Sequence, residues 1–183
     1  GENKSVVSML IVAEHVAREC QDGCDTRIND ALHGALLLAK VGVRDVATLE
    51  AALLVVGTNL DADAALRPPG DSPPNAQLKR IRMCFGIEVE EIVTALAAIG
   101  AATGKELRQL PHKAKQVCLA EHLHGLRKAQ LNGIADLESD HTFRSLLKRT
   151  LEIRQELAGT HAGLEAAIDE VVSGRVRMAD GQL

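Results

Sequence analysis

The chain has 183 residues, 46 % hydrophobic and 25 % charged, with a formal net charge of −4, which is ordinary for one soluble globular domain over 1–183 with a buried core. The mild acidity, the lack of a long basic run and the 1 % aromatic content argue against direct nucleic-acid recognition, which needs a basic footprint or stacking platforms. With only Phe85 and Phe143 and no Trp or Tyr, the core must be built from Leu, Ile, Val and Ala, which favours close-packed helices over a sheet.

Ser5–Cys20 carries Val6, Val7, Leu10, Ile11, Ala13, Val16 and Ala17 at helical spacing. Gln21–Arg27, with Gly23 and two Asp, reads as a turn. Ile28–Val41 continues as a helix through Ala31, Leu32, Ala35, Leu36 and Leu38, closed by Gly42. Asp45 is placed to cap the next helix. That helix, Leu49–Asp61, runs apolar from Ala51 to Val56 before breaking at Gly57, so it is expected to be buried on nearly all sides at the centre of the domain.

Leu66–Asn75 holds four of the five prolines and is expected to be an exposed loop. Ala76–Phe85 reads as a short helix. Ile87–Ala102 is a longer one, with Glu88, Glu90 and Glu91 in its first turn and Gly100 and Gly104 at its end. Lys113–Leu131 and Asp140–Leu157 follow as helices; Gly159 stops the second, and Thr160 is expected to cap a final helix to about Val172. No stretch approaches the ~20 apolar residues of a transmembrane helix. Cys20, Cys24, Cys84 and Cys118 lack the paired spacing of a zinc site and are read as reduced, partly buried thiols of an intracellular protein. The chain opens at Gly1 rather than Met, as it would after removal of a targeting peptide or a tag.

Several of these stretches together resemble the HD-domain hydrolases of the RelA/SpoT type, and among them the small metazoan SpoT homologues. LEAALLVVGTNLD is similar to the family's A-A-L-L-H-D-T-V-E-D; Gly42, Val43, Arg44 and Asp45 match its G-[IV]-x-D lead-in; Phe85-Gly86 matches its H-F-G. CLAEHLHGL resembles K-L-A-D-K-L-Y-N-L, and LAGTHAGLEAAIDEV resembles L-x-G-T-N-x-x-L-E-x-A-L. The likeness spans about Ile11 to Val172. It implies an all-α, single HD-type domain of about seven to eight helices, with the Pro-rich 66–75 loop as an insertion.

The same resemblance implies that the chemistry is lost. An HD site holds a divalent metal with about four ligands, a His, a His-Asp dyad and a distant Asp, and the metal activates water for attack on a phosphoryl group. The ligand positions here are Asp30, Val55, Val56 and Glu121, and valine has no lone pair to give. The acid pair that handles the water falls at Asn59 and Leu60, neither of which shuttles a proton as a carboxylate does. The interval QDGCDTR is acidic where the family is basic, the wrong sign for a pyrophosphate, and His124 and Gly125 stand where Tyr and Asn help hold substrate. A shifted metal on Asp30, His33 and Glu121 is the remaining metal arrangement, with Val55 and Val56 blocking its centre. His122 and His124, two residues apart, fall on different helix faces.

The expected function is that of a non-catalytic pseudo-enzyme with no metal and no cofactor. It would be a structural or scaffolding subunit whose partners are the other protein subunits of a larger assembly, with a mitochondrial ribosome or respiratory complex as the suspected setting. Two alternatives stay open. One is a residual metal-dependent phosphohydrolase of guanosine tetraphosphate or NADPH; the other is a nucleotide sensor that binds without hydrolysis.

Overall fold

The computed structural model describes residues 24–55, 73–97, 99, 104–131 and 141–180. Over them the chain forms eight helices: α1 Cys24–Lys40, α2 Val46–Val55, α3 Pro73–Phe85, α4 Ile87–Ala97, α5 Gly104–Gln109, α6 His112–Leu131, α7 His141–Glu156 and α8 Ala162–Asp180. No strand occurs among the described residues. The fold is all-α, as a core of aliphatic side chains without aromatics favours. The helix expected at Ser5–Cys20 lies outside the described residues, as does the loop from 66 to 72.

Helix α2 is the most completely buried element relative to its length: every residue from Thr48 to Leu54 is buried. Asp45 starts it. Its Oδ2 accepts the Thr48 backbone N–H at 2.9 Å and the Thr48 hydroxyl at 2.6 Å, which satisfies one of the donors that a helix start leaves open. The Oδ1 of the same carboxylate accepts from Lys113 Nζ at 2.9 Å, and Lys113 also reaches Glu88 Oε1 at 2.5 Å. One ammonium thus ties together the starts of α2, α4 and α6. The hydrogen bonds that Lys113 donates to Glu88 and then Asp45 hold its pKa above its ordinary value.

The hub is α6 rather than α2. It packs against α1, α2, α4, α7 and α8, whereas α2 packs against α1, α4 and α6. At 20 residues α6 is about 30 Å long, so several partners fit along it. Ala114, Val117, Cys118, Leu119, Ala120, Leu123 and Leu126 are all sealed from solvent. Small residues among them let neighbours approach. At Gly125 an added Cβ would sit 3.6 Å from Leu146 of α7, in ordinary contact.

Helix ends explain where the sequence reading and the structure part. The turn expected at Gln21–Arg27 is already helix from Cys24. Pro73 and Pro74 open α3 instead of ending the loop, because a first-turn N–H has no intrahelical partner to lose. Helix α4 stops at Ala97, short of Ala102. The unexpected α5 follows it, anchored by Leu107, which is 1 % exposed, and by an ion pair of Arg108 with Glu156 on α7.

Gly42 closes α1 at φ 93°, with Val43 N–H bonded back to Leu38 at 3.0 Å, and Gly159 ends α7 at φ 82°. The final helix is capped by His161, not Thr160. Leu164 N–H donates to His161 Nδ1 at 3.4 Å, and Glu165 reaches back to the N–H groups of His161 at 2.9 Å and Gly159 at 3.2 Å. Helix α8 then runs to Asp180, past Val172.

Two substitutions separate capping from packing in this domain. Asp45→Ala removes the α2 cap and is expected to cost about 1 kcal/mol; Leu53→Ala, at a side chain 2 % exposed, is expected to cost about 2–5 kcal/mol. Urea unfolding of both variants checks this, and equal midpoints for the pair would contradict the assigned burial of α2.

Candidate functional site

Three of the six positions singled out by sequence fall on described helices: Asp30 on the first half of α1, Val55 at the end of α2 and Glu121 in the middle of α6. Val56, Asn59 and Leu60 lie outside the described residues. Helices α1 and α2 both pack on α6.

Asp30 does not face open space. Its Oδ1 accepts from His124 Nε2 at 2.9 Å and from Lys128 Nζ at 2.9 Å, and its Oδ2 accepts from Lys128 Nζ at 2.6 Å. An ionised carboxylate only accepts, so the His124 proton that makes this bond sits on Nε2. Burial disfavours the Asp30 charge, but the hydrogen bonds from Lys128 and His124, with the Lys128 charge, outweigh it and hold the carboxyl below its ordinary range. Behind His124, the His33 ring stacks at a centroid distance of 5.3 Å and an interplanar angle of 13°. His33 Nδ1 lies 2.6 Å from the Asn29 carbonyl oxygen, which fixes the ring against its own helix.

Lys128 was not among the residues singled out by sequence. The signal was present: 121, 124 and 128 are spaced by three and four, so they share one face of α6. Choosing Lys128 among the lysines of α6 required knowing that this face meets α1.

Glu121 lies half-buried on the same helix, with its Oε1 sealed from solvent and without a hydrogen-bond partner. Burial pushes its pKa up to about 7. The neighbouring Cys118 thiol is pushed up to about 12, first by burial and then by the Glu121 charge, so it is an inert buried thiol. Cys84, by contrast, is exposed rather than partly buried. His122 donates from Nδ1 to the Cys118 carbonyl at 2.9 Å, and burial lowers its pKa. His122 therefore serves its own helix while His124 reaches α1, on different faces as their spacing requires.

The chemistry available to these groups is narrow. Val55 is partly buried against the hydrophobic core and offers no donor atom. The sequence-level alternative of Asp30, His33 and Glu121 around one ion is not what is assembled: Asp30 is taken by His124 and Lys128, and His33 by His124 and Asn29. Among the described residues no group of three or more His, Cys, Asp or Glu side chains is placed to hold a metal ion. No described helix is long and apolar enough to cross a membrane.

In comparisons by sequence, no family model and no curated protein matches the chain. By structure, the chain is similar to a solved metazoan ortholog of SpoT, a protein described as hydrolysing ppGpp and playing a role in starvation responses. The superposition has a TM-score of 0.66 at 17 % identity and covers 92 % of this chain and 95 % of the other. Likeness at that identity establishes the shared all-α fold.

Glu121 makes stability pH-dependent with a definite sign. The unfolded carboxyl ionises near its ordinary 4.5 and the folded one near 7, so the unfolded state binds fewer protons between those values. Stability contributed by this group is expected to fall as pH rises from about 4.5 to about 7, then to level off. Glu121→Gln removes the charge and is expected to stabilise the protein above pH 7 by up to about 3 kcal/mol, with the gain vanishing toward pH 4. Urea melts of both proteins across pH 4–8 check it; a gain that is the same at every pH would contradict the buried carboxyl as its source.

Proposed function

We propose, from the fold shared with the ppGpp-hydrolysing SpoT ortholog, that this chain is a non-catalytic pseudo-enzyme of the HD-hydrolase type. It acts as a structural subunit within a larger protein assembly. The observation that carries the reading is Val55, packed against the core where the resembled hydrolases place half of their metal-binding dyad. A side chain without lone pairs there leaves a divalent ion too few ligands to activate water. Val56, Asn59 and Leu60 extend the loss in sequence, since none of them supplies the Asp of the dyad or a carboxylate of the acid pair.

A subunit that no longer turns over substrate is retained for its surface. Leu32 and Leu36, one turn apart on α1, are 43 % and 49 % exposed, and Met83 and Ile87 at the α3–α4 junction are 78 % and 52 % exposed. Paired exposed apolar side chains of this kind suit contact with other protein subunits better than solvent. The setting we propose is organellar, a mitochondrial ribosome or respiratory complex. It rests on the loss of the site together with the proline-rich 66–75 insertion.

The rival reading is a residual phosphohydrolase or nucleotide sensor. It takes its support from the solved relative's hydrolysis of ppGpp and from the partnerless Glu121 Oε1, an acceptor that a ligand could satisfy. Two measurements separate the readings. Purified protein with Mn²⁺ is expected to turn over neither ppGpp nor NADPH and to show no saturable ppGpp binding. The endogenous protein, fractionated from a gentle extract, is expected to migrate with a particle far heavier than its 19.5 kDa. Recovery only as a monomer or small oligomer would rule out the scaffold reading, and metal-dependent turnover would establish the rival.

A further inference from the structure

The HD fold implies a divalent metal near Asp30 and Glu121, and the residues present do not fit one. Val55 has nothing to donate, and Asp30 Oδ1 already takes two hydrogen bonds and Oδ2 one. Glu121 Oε1 is left as a single sealed oxygen without a partner. An incoming cation would have to displace an ammonium seated 2.6 Å from Asp30 Oδ2 and 2.9 Å from Oδ1. It would meet that ammonium's own positive charge in doing so.

We infer that Lys128 is the resident cation of this site: its ammonium, bridging both oxygens of Asp30 beside His124, takes the charge-compensating place that the metal has in the HD fold. The physical need is clear. A carboxylate half-buried between two packed helices is costly without a counter-charge or a full set of hydrogen bonds. Asp30 stands where the resembled hydrolases have a neutral metal-binding His, so the charge it adds has to be neutralised from within.

Here α6 does the neutralising. Lys128 lies one turn beyond His124 on the face that meets α1, and its side chain is 39 % exposed. A four-carbon stem can run along the helix surface from there while its head docks on Asp30. His33, stacked on His124 and held by Asn29, limits the freedom of the imidazole, so the carboxylate receives donors from fixed directions. The site is a clasp between α1 and α6 and closed to divalent ions. This inference rests on the metal loss proposed above and not on the assembly.

Thermal melts with and without EDTA or Mn²⁺, paired with Mn²⁺ binding by electron paramagnetic resonance, test it on the full chain. Wild-type protein is expected to melt at the same temperature in all three conditions and to bind no Mn²⁺. Lys128→Met is expected to melt about 3–6 °C lower, and Mn²⁺ to restore part of the loss by occupying the uncovered carboxylate. Lys128→Arg keeps the charge and is expected to keep most of the stability.

Asp30→Asn combined with Lys128→Met is expected to melt no lower than Asp30→Asn alone, because the partners act as one unit. Mn²⁺ binding by wild type that Asp30→Asn abolishes would overturn the inference and the proposed metal loss together. A Lys128→Met protein that melts like wild type would overturn the inference alone and leave the non-catalytic reading standing.

Discussion

Helix α6 has to satisfy five other helices at once, and most of what the molecule is follows from that requirement. Its middle, Val117 to Ala120, has four successive residues with essentially no exposure, so no side of the helix there is free for solvent. Such a segment can carry only apolar side chains, small side chains, or polar groups whose partners are provided. Glu121 comes immediately after it, and its sealed Oε1 lacks a partner. His122, next again, turns to its own backbone. One turn further, where the packing opens, His124 and Lys128 reach across to α1. The gradient from sealed to half-exposed along one helix decides which polar groups reach a partner on another helix.

The two carboxylates show how that gradient works. Asp30 and Glu121 sit on two helices packed against each other, yet their pKa values move in opposite directions. Glu121 is raised by burial alone. Asp30 is also penalised by burial, but a lysine and a histidine donate to it and reverse the sign. Two acids on facing helices thus meet different fates because one has donors within reach and the other does not. The same rule holds for the Asp45 carboxylate: burial works against its charge, while Thr48 and Lys113 hold its pKa down.

How much of this was legible in the sequence differs by level. The helices that hold Leu38, Leu53, Val93, Leu123 and Ile153 were all expected from the sequence, and each of these side chains is buried in the structure. The stops at Gly42 and Gly159 were readable because a left-handed residue at a helix end strongly favours glycine. Helix α5 was not readable, since six residues are too few to show a period; it exists because Leu107 fills a core site and Arg108 finds Glu156. The cap of α8 was misplaced by one residue. Thr160 is the better capping residue by type, but Glu165 makes its two backbone bonds to Gly159 and His161.

At the site, the sequence by itself determined which atoms are available: the side chains of Val55 and Val56 have no lone pair, and no packing can give them one. It also determined the all-α class, because aliphatic residues at a period of 3.6 with almost no aromatics leave little else to build. Only the tertiary structure decided what the remaining acids do. Asp30 and Lys128 are 98 positions apart, and nothing local to either specifies the other. Their pairing follows from α1 lying on α6 in one register, and a charge–charge contact depends on distance in space, which falls steeply outside a few ångströms. A sequence states which groups are available, and the packed helices set the distances that turn some of them into partners and leave one without.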